Sequence, residues 1–439
     1  MSNISSVSKS YMCSNCGACN AICPKDSISF RFSSIGRMYA SVDEETCVDC
    51  GLCTKVCPSL DKGGLRYLYD DCYVGELRKV YVGKCTDSNY YQNAQSGGAC
   101  TAILAYMFDN KLIDAAVVTE MSYGVTPLVR PVIVTRKEDL YKTQKSCYTP
   151  VDVLSLLKET KSYKSVAIVG LPCHIQGVVS LQKVSKQFSN IKYLLGLVCD
   201  RTLCKSIQNV ITSFSPVHGA ECVINWKKKD FVYKNTWYSY KNAPVVLSYR
   251  GEDYLHIIPN SYRFALKEMF TPPRCRVCYD KINIFADIVF GDPWRMGDTD
   301  EKKGASVVAV RTEAGINLIN GALEEGVLDL EEREIKQIVT GQLIEKRRKS
   351  IAVYSRALEC MPRKINSYLY QQGDNALLDE NEIILAREKL QTFIRRDSEP
   401  IDLIIKDGYK AIDDWLKVEK KNKNLIIRII RKFKKVLQR

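Results

Sequence analysis

The chain has 439 residues, 46% of them hydrophobic and 26% charged, enough apolar material for a sizeable buried core and more than one domain. Its formal charge of +14 invites a nucleic-acid partner, but residues 420–439 carry nine Lys or Arg and no acid, leaving +5 for the rest, so no nucleic-acid partner is expected. Nineteen cysteines in so long a chain do not read as a secreted disulfide scaffold. With no signal-peptide core at the start and no apolar run of about eighteen residues, a reducing setting is expected: cytoplasmic, or on the inner face of a membrane without crossing it.

In chain order, the first element is a repeated phrase. CSNCGACNAICP sets Cys13, Cys16, Cys19 and Cys23 ahead of Pro24, and CVDCGLCTKVCP sets Cys47, Cys50, Cys53 and Cys57 ahead of Pro58. This C-x2-C-x2-C-x3-C-P spacing is that of bacterial ferredoxins, in which three closely spaced thiolates wrap one four-iron cube and the fourth reaches the other cube. The ligands should therefore cross: Cys13, Cys16, Cys19 and Cys57 on one 4Fe-4S cluster, and Cys47, Cys50, Cys53 and Cys23 on a second. Zinc knuckles also use C-x2-C, but two matching four-cysteine runs that both end in Cys-Pro favour iron–sulfur. Two such clusters pass electrons singly.

SLDKGGLRYLYDD then reads as a linker over about residues 59–72, and beyond it the pattern is α/β. KVYVGKC, DAAVVTEM and RPVIVTR read as strands, and GGACTAILAYMFDNKL and DVLSLLKETKSY as helices. KSVAIVG and IKYLLGLVC are short apolar runs of the kind buried on both faces. Residues 220–260 read as antiparallel β, ADIVFGD and ASVVAVRT as further strands, and the chain after about residue 330 as charged and helical.

Two features of this middle region carry chemistry. Cys173 follows one buried strand and Cys199 ends another; parallel neighbours would bring both thiols to the carboxyl edge of the sheet, where open α/β sheets bind ligands. The C-x2-C pair Cys275 and Cys278 completes four ligands for a third 4Fe-4S cluster, with Cys204 the substitute if Cys199 is not one. Isolated cysteines are equally often buried hydrophobes, and a lone pair can bind zinc. In QSGGACTAIL, Ser96 is positioned to cap the following helix, and Gly97 and Gly98 would let backbone approach an anion at its N-terminus; a plain tight turn is the other reading. At the carboxyl end, the apolar residues of NLIIRIIRKFKKVLQR fall at helical spacing opposite a basic face. Such a helix at residues 420–439 suits peripheral contact with an anionic membrane, packing on its own protein, or a solvated tail.

The order of the SGG helix, QKSCY, VGLPCHIQGV, GLVCD, CRVCYDK, ADIVFGDPW and KGASVVAVRTEAG resembles the family of coenzyme F420 hydrogenase/dehydrogenase beta subunits over about residues 72–330. The resemblance implies FAD beside a 4Fe-4S cluster held by Cys173, Cys199, Cys275 and Cys278, with Ser96, Gly97, Gly98 and Thr101 at the flavin phosphates. Lys145 and Ser146 should also line the flavin, although Lys-Ser-Cys-Tyr departs here from the family's Ser-Lys-Tyr-like stretch. Asp292 and Trp294 would shape the pocket floor or simply form a turn, and His174 reads as a hydrogen-bonding neighbour of Cys173 rather than a proton donor.

The expected fold is α/β (α+β): a two-cluster ferredoxin-like domain at 1–65, a mixed α/β flavin-binding domain in two parts at 72–155 and 156–330, and a helical region at 331–439. The implied function is an iron–sulfur flavoprotein oxidoreductase passing electrons from an external ferredoxin-type donor through the clusters to FAD, and as hydride to a small-molecule or lipid-linked acceptor. The alternatives are an electron-transfer subunit of a larger hydrogenase/dehydrogenase-type complex with no substrate site of its own, and a non-catalytic iron–sulfur sensor.

Overall fold

The computed structural model describes residues 3–217, 219–296, 303–370 and 378–437, with side chains described as far as residue 421. It begins with three small helices, Ser5–Lys9, Ala18–Ile22 and Leu52–Lys55, and one antiparallel hairpin, β1 (Ile28–Phe32) and β2 (Met38–Val42). The two cysteine phrases fold alike because each places a turn-tolerant residue and a glycine at corresponding points. Asn15 and Asp49 both have positive φ, and Gly17 and Gly51 follow at φ +93° and +71°. Asn, Asp and Gly adopt this left-handed conformation at least cost, so each loop curls around its thiols.

An eight-stranded sheet follows, assembled from β3 (Lys79–Cys85), β4 (Ala115–Ser122), β5 (Leu128–Val134), β6 (Val166–Gly170), β7 (Ile191–Leu197), β13 (Ile288–Gly291), β14 (Ser306–Val310) and β15 (Leu328–Arg333). The intervening strands are β8 (Cys222–Asn225), β9 (Phe231–Tyr233), β10 (Thr236–Tyr238), β11 (Val245–Tyr249) and β12 (Leu255–Ile258); they form a three-stranded sheet, β12-β11-β8, and a separate β9-β10 hairpin. The large sheet has the order β15-β3-β14-β13-β7-β6-β4-β5. Its centre, β13-β7-β6-β4, is parallel, and antiparallel strands extend it on both sides.

Alternation along the strands sends side chains to two cores. Val80, Val82, Val307 and Ala309 lie on the side that shares a core with the helices Pro172–Val184 and Ile335–Gly341, while Tyr81, Val308 and Val310 face the helices Ala99–Asp109 and Glu313–Glu324. The sequence reading misses β15, whose exposed face is Glu-rich, and takes Val153–Ser162 for an α-helix where the chain forms 3-10 turns.

The ferredoxin-like segment shares its core with the rest of the chain. Cys16, Ala18, Ala21 and Ile22 pack with Val153, Leu154 and Ile175, and Leu154 N–H donates to Cys16 O at 2.9 Å. A Cβ on Gly17 would lie 2.5 Å from Ser155 N, so glycine is required by close approach as well as by φ. On the other side Ile4, Val7 and Met12 pack with the helices Ile344–Ala357 and Glu380–Arg396. The last helix, Ile401–Leu437, includes residues 420–437; the basic face expected there belongs to side chains outside the described residues. Among the described residues no helix is long and apolar enough to cross a membrane.

One ion pair fastens the first segment to the carboxyl-terminal helices. Arg37 Nη2 meets Asp397 Oδ2 at 2.8 Å with side-chain exposures of 11% and 6%, and Ser33 Oγ donates to the same carboxylate. Removing one member of such a pair leaves the other charged and buried. Asp397→Ala is expected to lower unfolding stability by about 3 kcal/mol in chemical denaturation; a loss below about 1 kcal/mol, the range of exposed pairs, would show that Arg37 is solvated instead.

Candidate functional site

The structure gathers the twelve cysteines singled out in the sequence into three groups. In the first, Cys19 lies within electrostatic reach of Cys16, Cys13 and Cys57, and Cys57 within reach of Cys16 and Cys13. Burial, reinforced by the neighbouring sulfurs, pushes the Cys16 thiol to about 11 and Cys57 to about 12. In the second, Cys23, Cys47, Cys50 and Cys53 ring one hollow with Pro24, Val48 and Gly51. The phrases thus exchange their fourth cysteines. The groups differ in exposure: Cys50 is open to solvent, whereas Cys16, Cys19 and Cys57 are buried.

The third group stands beside the first. Parallel pairing of β6 and β7 brings Cys173, on the helix following β6, near Cys199, just past β7. Cys173 is within reach of Cys16, Cys199, Cys278 and Cys275, and its Sγ lies 3.7 Å from Ser14 O. Cys204 is instead buried in an apolar core with Ile35, Ile207 and Phe270, so it is Cys199 that faces the other three thiols.

Cations surround this group. Arg347 donates from Nε to Cys278 O at 3.0 Å and from Nη2 to Cys275 O at 2.7 Å, fixing the C-x2-C turn. Asp200 is ion-paired with Arg201 at 3.1 Å, with Lys267, and at longer range with Lys281 and Arg347; these cations outweigh the effect of burial and hold its carboxyl well below the usual range. Four crowded thiols in a cationic shell suit an anionic iron–sulfur cluster. Among the described residues no three Cys, His, Asp or Glu side chains converge closely enough to share a single metal ion; a four-iron cube takes its thiolates at its outer corners, farther apart than one ion would.

A cleft of about 810 Å³ opens from the third group, lined by Cys173 and Cys199 at one point and by Ser96, Gly98, Thr101, Lys145 and Ser146 at another. This is within the size range of small-molecule and cofactor sites. Two expectations are corrected here. Ser96 does not cap the helix: Gly98, at φ +78°, is the residue preceding Ala99–Asp109, and no side chain caps it. Ser96 sits too early in the turn, and its carbonyl accepts from Lys229 Nζ. Gly97 faces the sheet instead of the cleft, its N–H donating to Ser306 Oγ at 3.1 Å, and a Cβ there would lie 2.5 Å from Gly83 O.

Lys145, held at φ +82°, projects into the cleft, where desolvation and then Lys228 bring its pKa down to about 8. Lys229 is likewise lowered to about 8, chiefly by burial. Lys227 is buried on the cleft wall, paired with Asp292 at 3.1 Å and lying 3.4 Å from the centroid of the Tyr240 ring and 4.8 Å from that of Trp294. Asp292 and Trp294 therefore combine a tight turn, with Trp294 N–H bonded to Asp292 O, and a place in the cleft lining. His174 is buried and neutral, its pKa lowered to about 4 by desolvation; Nδ1 accepts from Leu171 N–H at 3.2 Å. Sequence reasoning passed over Lys227, Lys228 and Lys229, whose signal was three lysines in succession within a β region, and over Arg347, which nothing in the sequence marks.

Residues 12–60 match a 4Fe-4S dicluster domain, so with the geometry above the chain is an iron–sulfur protein of the oxidoreductase class. It belongs to the family of coenzyme F420 hydrogenase/dehydrogenase beta subunits: residues 80–158 match the family's N-terminal part and residues 163–336 its C-terminal part. The chain is 25% identical to one of the subunits of the F420H2 dehydrogenase of Methanosarcina mazei, over 80% of this chain and 93% of that one. It is 24% identical to the beta chain of the coenzyme F420 hydrogenase of Methanosarcina barkeri, over 62% and 88%. It is 26% identical to the coenzyme F420-dependent sulfite reductase of Methanocaldococcus jannaschii over 78% of this chain, but spans only 51% of that enzyme. A chain of the F420-reducing [NiFe] hydrogenase complex of Methanosarcina barkeri has the same fold, with a TM-score of 0.50 and 21% identity over 69% of this chain and 98% of that one.

Because Lys145 loses its charge as pH rises through about 8, the cleft should hold anions progressively less well above that pH. Titration calorimetry with inorganic pyrophosphate is expected to show affinity falling from pH 7 to pH 9, and Lys145→Gln should flatten the dependence. A flat profile for the unsubstituted chain would mean that Lys145 does not face the bound anion.

Proposed function

We propose that this chain is an iron–sulfur flavoprotein oxidoreductase that receives single electrons at the exposed Cys23/Cys47/Cys50/Cys53 group and carries them inward to a flavin in the cleft, for an organic acceptor bound there. The observation that carries this reading is the unbroken succession of three thiol groups, from the surface to the cleft wall, with Cys16 and Cys173 linking the first group to the third. In it, Cys13, Cys16, Cys19 and Cys57 hold one 4Fe-4S cluster, Cys23, Cys47, Cys50 and Cys53 a second, and Cys173, Cys199, Cys275 and Cys278 a third. When bound, the clusters supply one-electron steps and FAD the conversion of two of them into hydride.

The chain's own groups bind, orient and exclude water. Arg347 holds the Cys275–Cys278 turn at its two carbonyls. The turn at Ser96 and Gly98, Thr101 and Ser146 lines the flavin site, Lys145 supplies a cation for its phosphates, and Lys229 holds the turn at Ser96 O. Lys227, anchored by Asp292 and the Tyr240 and Trp294 rings, fixes the opposite wall. His174, neutral and engaged at Nδ1, keeps the turn ahead of Cys173 in place without carrying a proton to substrate. The external donor is a ferredoxin-type protein and the acceptor a small or lipid-linked molecule; peripheral membrane contact is assigned to residues 420–439.

A second reading, an electron-transfer subunit whose acceptor sits on a partner, is favoured by relatives that are named as subunits of hydrogenase and dehydrogenase. Iron, acid-labile sulfide and released flavin, measured per chain after purification without oxygen, test the first reading. About twelve irons and one FAD are expected, and Cys173→Ser should cost about four irons. About eight irons without flavin would overturn it. Turnover of small acceptors by the isolated holoprotein given reduced ferredoxin distinguishes the two readings, since the second predicts none.

A further inference from the structure

Arg274 precedes the Cys275–Cys278 pair and is only 2% exposed. Its Nε donates to Ser59 Oγ at 2.9 Å, while Nη1 and Nη2 have no hydrogen-bond partner among the described residues. Ser59 lies two residues past Cys57, and its hydroxyl donates to the carbonyl of Met12, the residue before Cys13. Arg274 is thus rooted at the third thiol group and anchored at the first. The titratable groups nearest to it electrostatically are Tyr368, Cys278, Cys173 and Cys275, and it lies within reach of Cys13 in turn; no carboxylate is ion-paired with it among the described residues. The neighbouring Arg276 differs in having Glu268 at 3.0 Å. A guanidinium with four free N–H donors, taken out of water without a carboxylate, is strongly unfavourable unless an anion lies against it. The thiolate-bound clusters are the anions that this position offers.

We propose that Arg274 is the shared counter-ion of the two inner clusters, that of Cys13, Cys16, Cys19 and Cys57 and that of Cys173, Cys199, Cys275 and Cys278. Its free amino groups donate N–H···S bonds toward both, and the positive charge raises both reduction potentials relative to the outer cluster. This rests on the ligand sets of the proposed function and adds a direction to them. Each inward transfer moves one electron, breaks no bond and leaves the guanidinium protonated. The reduced inner clusters, one unit more negative, gain most from the fixed charge, so an electron accepted at Cys47–Cys53 is drawn toward the cleft. Net charge and hydrogen bonds to the sulfurs are established determinants of cluster potential.

The test uses the full chain, purified without oxygen, as wild type, Arg274→Gln and Arg274→Lys. Iron and sulfide are measured first, and the reduction of each cluster is then followed by electron paramagnetic resonance during a potentiometric titration. Arg274→Gln should make two of three clusters harder to reduce, raising their oxidised-to-reduced ratio at a fixed ambient potential about tenfold, equivalent to about 59 mV for one electron. The outer cluster, at Cys23, Cys47, Cys50 and Cys53, should not move. Arg274→Lys, which keeps the charge but not the forked donors, should shift the same two clusters less. If Arg274→Gln loses iron, the lysine variant decides: no shift, or an equal shift of all three clusters, overturns the proposal. Full iron content with unmoved potentials in Arg274→Gln overturns it likewise. About eight irons in the wild type would remove the third cluster and with it the proposed function, an outcome distinct from failure of the Arg274 assignment.

Discussion

Thiols gathered by fours in a protein interior resist ionisation, because each buried thiolate lacks water and repels its neighbours. The raised values of Cys16, Cys19, Cys57, Cys173 and Cys199 express that resistance. Metal ions relieve it locally, yet a 4Fe-4S centre with four cysteines is itself a net anion and needs positive surroundings. Much of the chain's architecture answers this requirement. Arg274, Arg276 and Arg347 are buried around the third group, and Arg201, Lys267 and Lys281 converge there on Asp200. This concentration of cation, rather than the basic tail, is where the chain's positive charge meets its chemistry.

The same requirement explains why the amino-terminal segment does not stand alone. Its first thiol group must come near Cys173, and the contact is made through backbone: Gly17 against Ser155, and Cys16 O accepting from Leu154 N–H. The helices Ile344–Ala357 and Glu380–Arg396 then cover its other side and bring Arg347 to the Cys275–Cys278 carbonyls. The carboxyl-terminal region is in this sense a clamp that joins the ferredoxin-like segment to the sheet. Parallel strands β6 and β7 supply the complementary part, since their carboxyl ends deliver Cys173 and Cys199 to one edge.

How much of this was legible in the sequence follows from the range of each interaction. The repeated cysteine phrase, the apolar strand runs and the C-x2-C pair are local patterns, and the matching strands β3, β4, β5, β6, β7, β13 and β14 lie where those patterns place them. β15 was missed because an edge strand with a Glu-rich outer face lacks an apolar run. The cap assigned to Ser96 failed because Gly98 turns the chain two residues later, which composition alone does not reveal. Arg274, Arg347 and the Lys227–Lys229 triplet went unread for a different reason. Their partners are 65 to 215 residues away for the bonds that matter, and nothing in a lone arginine announces a distant sulfur or carbonyl.

The continuous core between the ferredoxin-like segment and the sheet has a kinetic meaning. A carrier domain on a flexible linker delivers electrons by diffusing between docking positions, so linker length and viscosity limit its rate. Here Gly17 is wedged against Ser155 and Arg37 is paired with Asp397, so the first segment is seated on the rest of the chain at two separate points. In the proposed function the passage inward is wired instead of shuttled: its speed would depend on fixed separations and driving force, leaving solvent viscosity to act only where an outside donor meets Cys50.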